Sequence, residues 1–435
     1  MQITFFGMRY KFVLVLLLLS EGLLAQTFST LQNLPPKIKY SQINTAHFRV
    51  IYPEGFSAQG QRMANTLEHL YAPVSKTLGR EPLKRTPIIL QNKNSIANGF
   101  VTLGPRRSEF YTTTPQNANL LGNNDWLDLL AIHEFRHVVQ YDRSRTGFTG
   151  LIYYLLGEFT QNAVASGSVP SWFWEGDAVD IETAMTSSGR GRIPEFSKAF
   201  RANLLELGSF NYSKQYLRSY KDFIPNHYVL GYHFNNYMRT EYGAKDVEDM
   251  VDKTWRQPYI PFSHSFSVKK QAGQKMPAVY DAMMADLSSR WKEELSQENF
   301  TNYYVLNKVK RKVWTNYDYP QYLDNGEVVA LKSGLGDIQQ FVIIDSKNGK
   351  EKKIFVPGPV NNSGMLSLQG ATLVWNEFQY DARWRANSYS VIKKYNLSTE
   401  KETTLTSKTR YASASLSPNR SLIATIELPD DYSCN

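Results

Sequence analysis

Residues 133–137 read HEFRH, inside a run that is otherwise apolar: WLDLLAI precedes them and Val138 and Val139 follow. A helix with this pattern is buried on most sides. In it His133 and His137 share one face about one turn apart, and Glu134 lies roughly 100° round the axis. The alternative is a surface helix with two solvated histidines, against which the apolar flanks speak. A buried His–Glu–His cluster without a partner is costly to desolvate. Two imidazoles at this spacing can grip one Zn²⁺. A glutamate at that angle is misplaced as a ligand but well placed to reach a water beside the ion. Zinc in a hydrolase takes three protein ligands and keeps one position for water, so the fold must bring a third ligand from elsewhere.

The stretch 172–182, WFWEGDAVDIE, offers that ligand. Pro170 precedes a short apolar run, 172–174, and EGDAVDIE then reads as a second helix. Glu175 is the expected metal ligand. Glu182, seven residues on, shares its face and is the expected carboxylate behind a ligand histidine, holding the free ring N–H. An exposed helix carboxylate is the alternative for Glu182. Asp180, well round the helix from Glu182, is a second candidate for the same supporting role. One Zn²⁺ per chain is the expected cofactor.

Together, HEFRH and the set Trp172, Glu175, Gly176, Ala178 and Glu182 resemble the gluzincins, the metallopeptidase group containing thermolysin and aminopeptidase N. The likeness is to an HExxH helix followed by a Glu on a later helix, in the WxxEGxA-like context of the aminopeptidase N branch. Thirty-seven residues separate His137 from Glu175. That is roughly twice the spacing of that branch, and is tolerated if the insertion folds out as its own excursion. The resemblance implies a zinc peptidase in which His133, His137 and Glu175 hold the metal and Glu134 is the general base.

Further segments extend it. HYVLGYHFNNYMRTEYG, 227–243, is similar to the aminopeptidase segment in which a Tyr three residues before a Gly donates its hydroxyl to the oxyanion. This carries over to Tyr228 and Gly231, with His227, Tyr232 and His233 as fallback donors. A core tyrosine on an amphipathic helix is the alternative. Upstream, 47–52 reads as a strand, 57–78 as a helix, 87–91 as a strand and 98–111 as a strand pair. The resemblance implies an edge strand above the zinc that pairs with extended substrate. The candidate is 99–103, with Gly99, Phe100 and Val101. The likeness spans roughly residues 39–295 and is nearest the secreted domains called peptidase MA-like. The implied fold is α+β, a small mixed sheet with a mainly helical lobe.

At 435 residues the chain has room for about three domains. Arg9 and Lys11 precede the apolar run 12–19, and Leu23-Leu24-Ala25 precedes Gln26. Residues 1–25 are therefore expected to be a cleaved signal peptide, a retained anchor being the alternative. The expected location is the periplasm, the outer envelope or the exterior. Cys434 is the only cysteine, so no disulfide within the chain is possible and no thiolate serves the metal. The formal net charge is +9, and removing the leader's two bases and one acid gives +8. That basicity fits peripheral contact with a membrane or other anionic envelope surface. No nucleic-acid module is recognisable.

Between the two metal motifs lies FTGLIYYLLGEF, 148–159, unusually apolar for a connection. It is expected to be a helix packed on the core; the sharper reading is a lid or membrane-touching finger. The following loop SSGRGR, 187–192, carries Arg190 and Arg192, candidates for recognising a substrate carboxylate; a solvated turn is the alternative. Residues 245–255 and 279–295 read as helices.

After about residue 302 short alternating strands replace the helices. Segments starting at Tyr319, Gly364 and Ala412 each place a turn before a strand; with Val328, Thr372 and Leu422 as equivalents, the period is 44 and then 50 residues. A repeat of forty-odd residues with about four strands is one propeller blade. The segments resemble TolB-like β-propeller repeats, and Ser417-Pro418-Asn419-Arg420 resembles their turn in degenerate form. Two blades and the start of a third cannot close a ring of four or more, so the array is expected to belong to a longer polypeptide. The domains expected are a leader at 1–25, the metal domain at 26–300 and a partial propeller at 301–435. The functional expectation is an exported zinc metallopeptidase acting on a peptide or protein, with a propeller that takes a protein or glycan partner. The alternative is a non-catalytic envelope scaffold with a relic zinc domain.

Overall fold

The structure, a computed structural model, describes residues 34–117, 121–307, 312–360 and 366–433. The expected leader, 1–25, and Cys434 lie outside them. The architecture is mixed α+β, with ten α-helices and four small sheets among the described residues.

Alternation of side chains builds the first sheet. In β2 (Phe48–Pro53) Phe48, Val50 and Tyr52 are buried while Arg49 is exposed, and in β3 (Thr86–Gln91) Thr86, Ile88 and Leu90 are buried. With β1 (Tyr40–Asn44), β4 (Gly99–Leu103) and β5 (Arg106–Tyr111) these form one sheet in the order β1-β2-β3-β5-β4. The β2–β3 and β3–β5 pairs are parallel, the outer pairs antiparallel. β4 therefore ends the sheet and keeps one backbone edge unpaired by any described strand.

α1 (Ser57–Ser75) connects β2 to β3 and packs against both the sheet and α2 (Trp126–Arg143), which itself touches β4 and β5. Asp125 caps α2, its carboxylate accepting from the N–H groups of Leu127 and Asp128 at 2.9 and 3.3 Å. Phe135 of α2 meets Phe48 edge-on at 5.1 Å between ring centroids, which locks helix to sheet. Then follow α3 (Gly147–Ser168), α4 (Ser171–Met185), α5 (Pro194–Leu207), α6 (Tyr212–Leu217), α7 (His227–Tyr242), α8 (Ala244–Arg256), α9 (Ser263–Ala272) and α10 (Met276–Ser296). The second motif helix begins earlier than its carboxylates suggest, because Pro170 sets the entry and the apolar run 172–174 is its buried first turn. α3 departs from the expected helix packed on the core: most of its apolar side chains between 151 and 159 face outward.

α4 and α7 cross glycine on glycine. A Cβ built on Gly231 would lie 1.9 Å from the Trp172 carbonyl oxygen, and one on Gly176 would lie 2.1 Å from the Gly231 carbonyl carbon. Both obstacles are backbone and cannot swing aside. Gly231→Ala is expected to destabilise the fold by about 3 kcal/mol through forced separation of the two helices, read as a lower midpoint in denaturant unfolding. An unchanged midpoint would show that the helices re-space freely.

Beyond α10, β6 (Thr315–Tyr322), β7 (Val328–Gly334), β8 (Gln340–Ile344) and β9 (Glu351–Phe355) form a four-stranded antiparallel sheet in sequence order. β10 (Ser367–Gln369), β11 (Thr372–Tyr380), β12 (Ser388–Asn396) and β13 (Lys401–Thr404) form another, and β14 (Tyr411–Leu416) pairs with β15 (Ile423–Glu427). Phe341 of the first sheet meets Trp375 of the second at 5.0 Å, and Val374 and Ile392 of the second share a core with Ala414 and Leu416. No closed barrel or propeller is present among the described residues.

Candidate metal centre

Three ligand-type groups converge where α2 meets α4. Glu175 Oε2 lies 3.4 Å from His133 Nε2 and 3.3 Å from His137 Nε2, and the two imidazoles stand nearly perpendicular with centroids 4.9 Å apart. Both histidines are buried. Tetrahedral zinc with bonds of about 2.1 Å holds its donors about 3.4 Å apart, which both carboxylate–imidazole distances match, and all three donor atoms lie within 4.8 Å of one another. Glu175 Oε2 makes no well-formed hydrogen bond although it is buried, and Glu134 Oε2 is equally orphaned beside it. Buried oxygens of this kind demand an explanation, and a bound cation supplies one for Glu175. Among the described residues His133, His137 and Glu175 form the one group of three able to share an ion.

Electrostatics follow from the crowding. Burial alone would raise the Glu175 carboxyl; His137 and His133 outweigh it and hold it far below the usual carboxylate range. Burial would lower His137, but Glu175 more than reverses this and pushes it up to about 9. Burial raises Glu134, partly offset by the two histidines.

Each histidine is held from behind by its other nitrogen. His133 Nδ1 lies 3.0 Å from Glu182 Oε2 and 2.7 Å from Arg190 Nη2; the tautomer that donates to the carboxylate leaves Nε2 free toward Glu175. Glu182 is fully buried and gripped by Arg190, whose Nε reaches Oε1 at 2.6 Å and Nη2 reaches Oε2 at 2.8 Å. Burial raises Glu182, and Arg190 more than offsets it, leaving the carboxyl at about 2. His137 Nδ1 donates to Gln140 Oε1 at 2.8 Å. The Gln140 amide nitrogen donates in turn to Asp177 Oδ2 at 2.6 Å and to the Trp174 carbonyl at 2.9 Å.

Tyr228 lies beside the site. Its ring lies nearly parallel to that of His133 at 6.2 Å, the Arg190 guanidinium sits 5.3 Å from its centroid, and burial followed by Glu175 raises its hydroxyl well above the usual value. Gly99, Phe100 and Val101 line the cleft over His133, His137 and Glu175 together with Tyr141, Trp174 and Tyr228, a space of about 330 Å³. Gly99 touches the metal helix: a Cβ there would lie 2.7 Å from Leu130 and 3.0 Å from Glu134 Oε1.

Three expectations need correction. Asp180 does not stand behind a histidine; it faces α7, where it pairs with Arg239 and accepts from Asn236 at 3.4 Å. Arg190 does not offer itself to a substrate carboxylate, because Glu182 occupies its fork. Arg192 donates to the Thr183 and Thr186 carbonyls, closing the end of α4. Of the fallback donors, His227 stacks beside Tyr228 at 5.0 Å, whereas His233 bonds Ser197 at 2.9 Å and Tyr232 packs on Phe196, both away from the centre.

The sequence reading missed a buried brace between α2, α4 and α7. Arg136 Nε and Nη2 reach the two Asp177 oxygens at 2.7 and 2.9 Å, and Arg239 binds the same carboxylate. Arg136 also donates to the Val74 carbonyl on α1 at 2.6 Å. The signal available was a charge at the buried middle of each motif, Arg136 in HEFRH and Asp177 in EGD, since such charges need partners.

No family model matches the chain, and no curated protein matches it. Among solved structures the chain is similar to an aminopeptidase N family protein from Idiomarina loihiensis, at 10% identity and a TM-score of 0.35. The match covers 85% of this chain and 66% of that protein. A TM-score of this size does not establish a shared fold, so the meaning of the site rests on its own geometry.

Proposed function

We propose that the protein is an exported zinc metallopeptidase of the gluzincin kind, with two TolB-like blades and the first hairpin of a third after its catalytic part. The observation that carries this is the convergence of two histidine nitrogens and one orphaned carboxylate oxygen at zinc-like spacing, with a second orphaned carboxylate, Glu134, beside them. Bound zinc supplies a Lewis acid that polarises a carbonyl and makes a neighbouring water acidic at neutral pH. Glu134 takes the proton of the attacking water and returns it to the leaving amine. Tyr228 donates its hydroxyl to the developing oxyanion. The unpaired edge of β4 aligns extended substrate across the cleft. Two four-stranded sheets that share one hydrophobic cluster support the blade reading.

Elemental analysis tests the centre. Wild type is expected to hold one zinc, which His137→Ala and Glu175→Ala lose, while Gln140→Ala binds it about 10–100-fold more weakly in chelator competition. Hydrolysis of a mixed peptide library is expected to stop with chelator and return with zinc. Absence of zinc after reconstitution would end the proposal. Zinc without hydrolysis would leave the non-catalytic envelope protein as the reading.

A further inference from the structure

α3 is broken at Gly157, whose φ of 83° and ψ of −179° turn the chain between Leu156 and Glu158. A Cβ there would meet nothing within 4 Å, so the bend stands in open space. Around it Leu151, Tyr154, Leu155, Leu156 and Phe159 are exposed, Tyr154 by 83% and Leu155 by 68%. The loop after α8 continues the surface. Phe148 packs edge-on against Tyr259 at 5.2 Å, and Tyr259, Phe262 and Phe266 are themselves exposed. Large apolar side chains this close together on a surface mark an interaction site.

The rim is basic. Lys84 Nζ lies 5.2 Å from the Tyr153 ring and the Arg145 guanidinium 4.3 Å from it; Arg256 backs Gly147 at the start of α3. Lys269 and Lys270 follow Phe266 on α9 and are exposed. Against these stand Glu81 near Leu83, Glu158 and Asp252. Glu158 is paired with Arg145 and Lys84, Asp252 with Arg143 and Arg256, and the buried Arg145 pairs with Asp142 as well, which leaves the excess positive charge of the rim on Lys269 and Lys270, with Lys253 beside Lys270. No helix among the described residues is long and apolar enough to cross a membrane.

We propose that this wedge, with its apex at Leu155, Leu156 and Gly157, docks the protein on the surface of an anionic lipid bilayer. Leucines at the apex reach the acyl boundary, the tyrosines and phenylalanines sit at headgroup level, and the basic rim attracts negative headgroups. A second copy of the chain is the competing occupant, and the lysine rim disfavours it, since pairing the patch with itself would bring like charges together. The wedge is also tied to the cleft. The Phe159 ring lies against Gly104, 2.9 Å from where a Cβ would stand, at the turn joining β4 to β5, and Glu158 is 3.7 Å from Arg106 at the start of β5. A docked wedge therefore holds the β4 edge close to the bilayer. The docking stands apart from the peptidase reading, because its test measures no turnover.

The test is co-sedimentation with vesicles of phosphatidylcholine alone or mixed with phosphatidylglycerol, at low and high salt. Wild type is expected to pellet with the mixed vesicles and less so as salt rises. The double variant Leu155→Asp, Leu156→Asp, in the same length of chain, is expected to bind about tenfold more weakly or worse with an unchanged melting curve. Lys269→Glu with Lys270→Glu should abolish the preference for phosphatidylglycerol. Wild type that stays in the supernatant overturns the proposal, as does a double variant that binds like wild type. A wild-type dimer dispersed by the leucine changes, without vesicle binding, overturns it in favour of a contact between copies.

Discussion

Glu134→Gln is expected to keep one zinc per chain and to lower the turnover of peptides by about 10²–10⁴-fold. The substitution is nearly isosteric, and Glu134 is not among the three groups placed to share an ion. Metal content should therefore stay at the wild-type level. What the amide cannot do is accept a proton. In the present structure Glu134 Oε2 is buried without a hydrogen-bond partner, while Leu130 and Gly99 wall the side chain in. Such an arrangement is wasteful in a purely structural centre, where a buried carboxylate would be bonded or replaced. It is economical where the oxygen must meet a water during reaction. The measurement is the initial rate on the peptide that wild type cleaves best, with zinc determined on the same samples. A Glu134→Gln protein of full activity would sink the mechanism while leaving the metal site intact. One that loses zinc as well would move Glu134 from base to ligand or support.

The centre was legible in the sequence where helical geometry does the placing. His133 and His137 at four residues, and Glu175 and Glu182 at seven, share faces by the pitch of the helix alone. Once α2 and α4 pack together, both pairs meet. Arg190 and Arg192 were misread because their role depends on the chain reversing after α4, where Gly189 lets the turn lie on Thr183, a Cβ there being 2.4 Å from the Thr183 Cα. That return lets Arg190 fill its fork with Glu182, a partner that spacing does not announce. Asp180 was misread because its face of α4 looks to α7, and the helix on that side cannot be known from the motif. Gln140 was missed although it lies three residues after His137, since a glutamine on a buried helix reads as polar filler until its two acceptors are seen. Further on, the sheets β6–β9 and β10–β13 were legible through turn spacing and alternation, which are local signals. The contacts of the strand region with the metal domain were not. Ser95 donates twice to Ser388, from its N–H to Oγ and from its Oγ to the carbonyl, each at 2.7 Å, and Arg410 reaches the Asn92 and Asn94 carbonyls, pairings across roughly three hundred residues.

The brace behind the centre is where one substitution should cost most in stability. Asp177→Ala is expected to destabilise the helical part of the protein by about 3–5 kcal/mol. The carboxylate is fully buried and accepts from Arg136, Arg239 and Gln140 at once. Burial alone would raise its pKa, but Arg136 and Arg239 hold it well below the usual range, so the group is ionised and its partners rely on the charge. Removing it strands the Arg136 guanidinium, which has no exposed surface, with the Val74 carbonyl as its remaining acceptor. It also frees Gln140, which orients His137, so zinc affinity should fall along with stability. Trp172 and Trp174 lie within five residues of the change, so tryptophan fluorescence during denaturant unfolding reads the loss directly. The cost should come from the unpaired charges rather than from lost packing. Asp177→Leu combined with Arg136→Met, which leaves Arg239 paired with Asp180, should therefore recover most of the stability while restoring none of the zinc affinity. An Asp177→Ala protein within about 1 kcal/mol of wild type would mean that water reaches the arginines, as at an exposed ion pair, and that the brace is not what holds α2, α4 and α7 in register around the metal ligands.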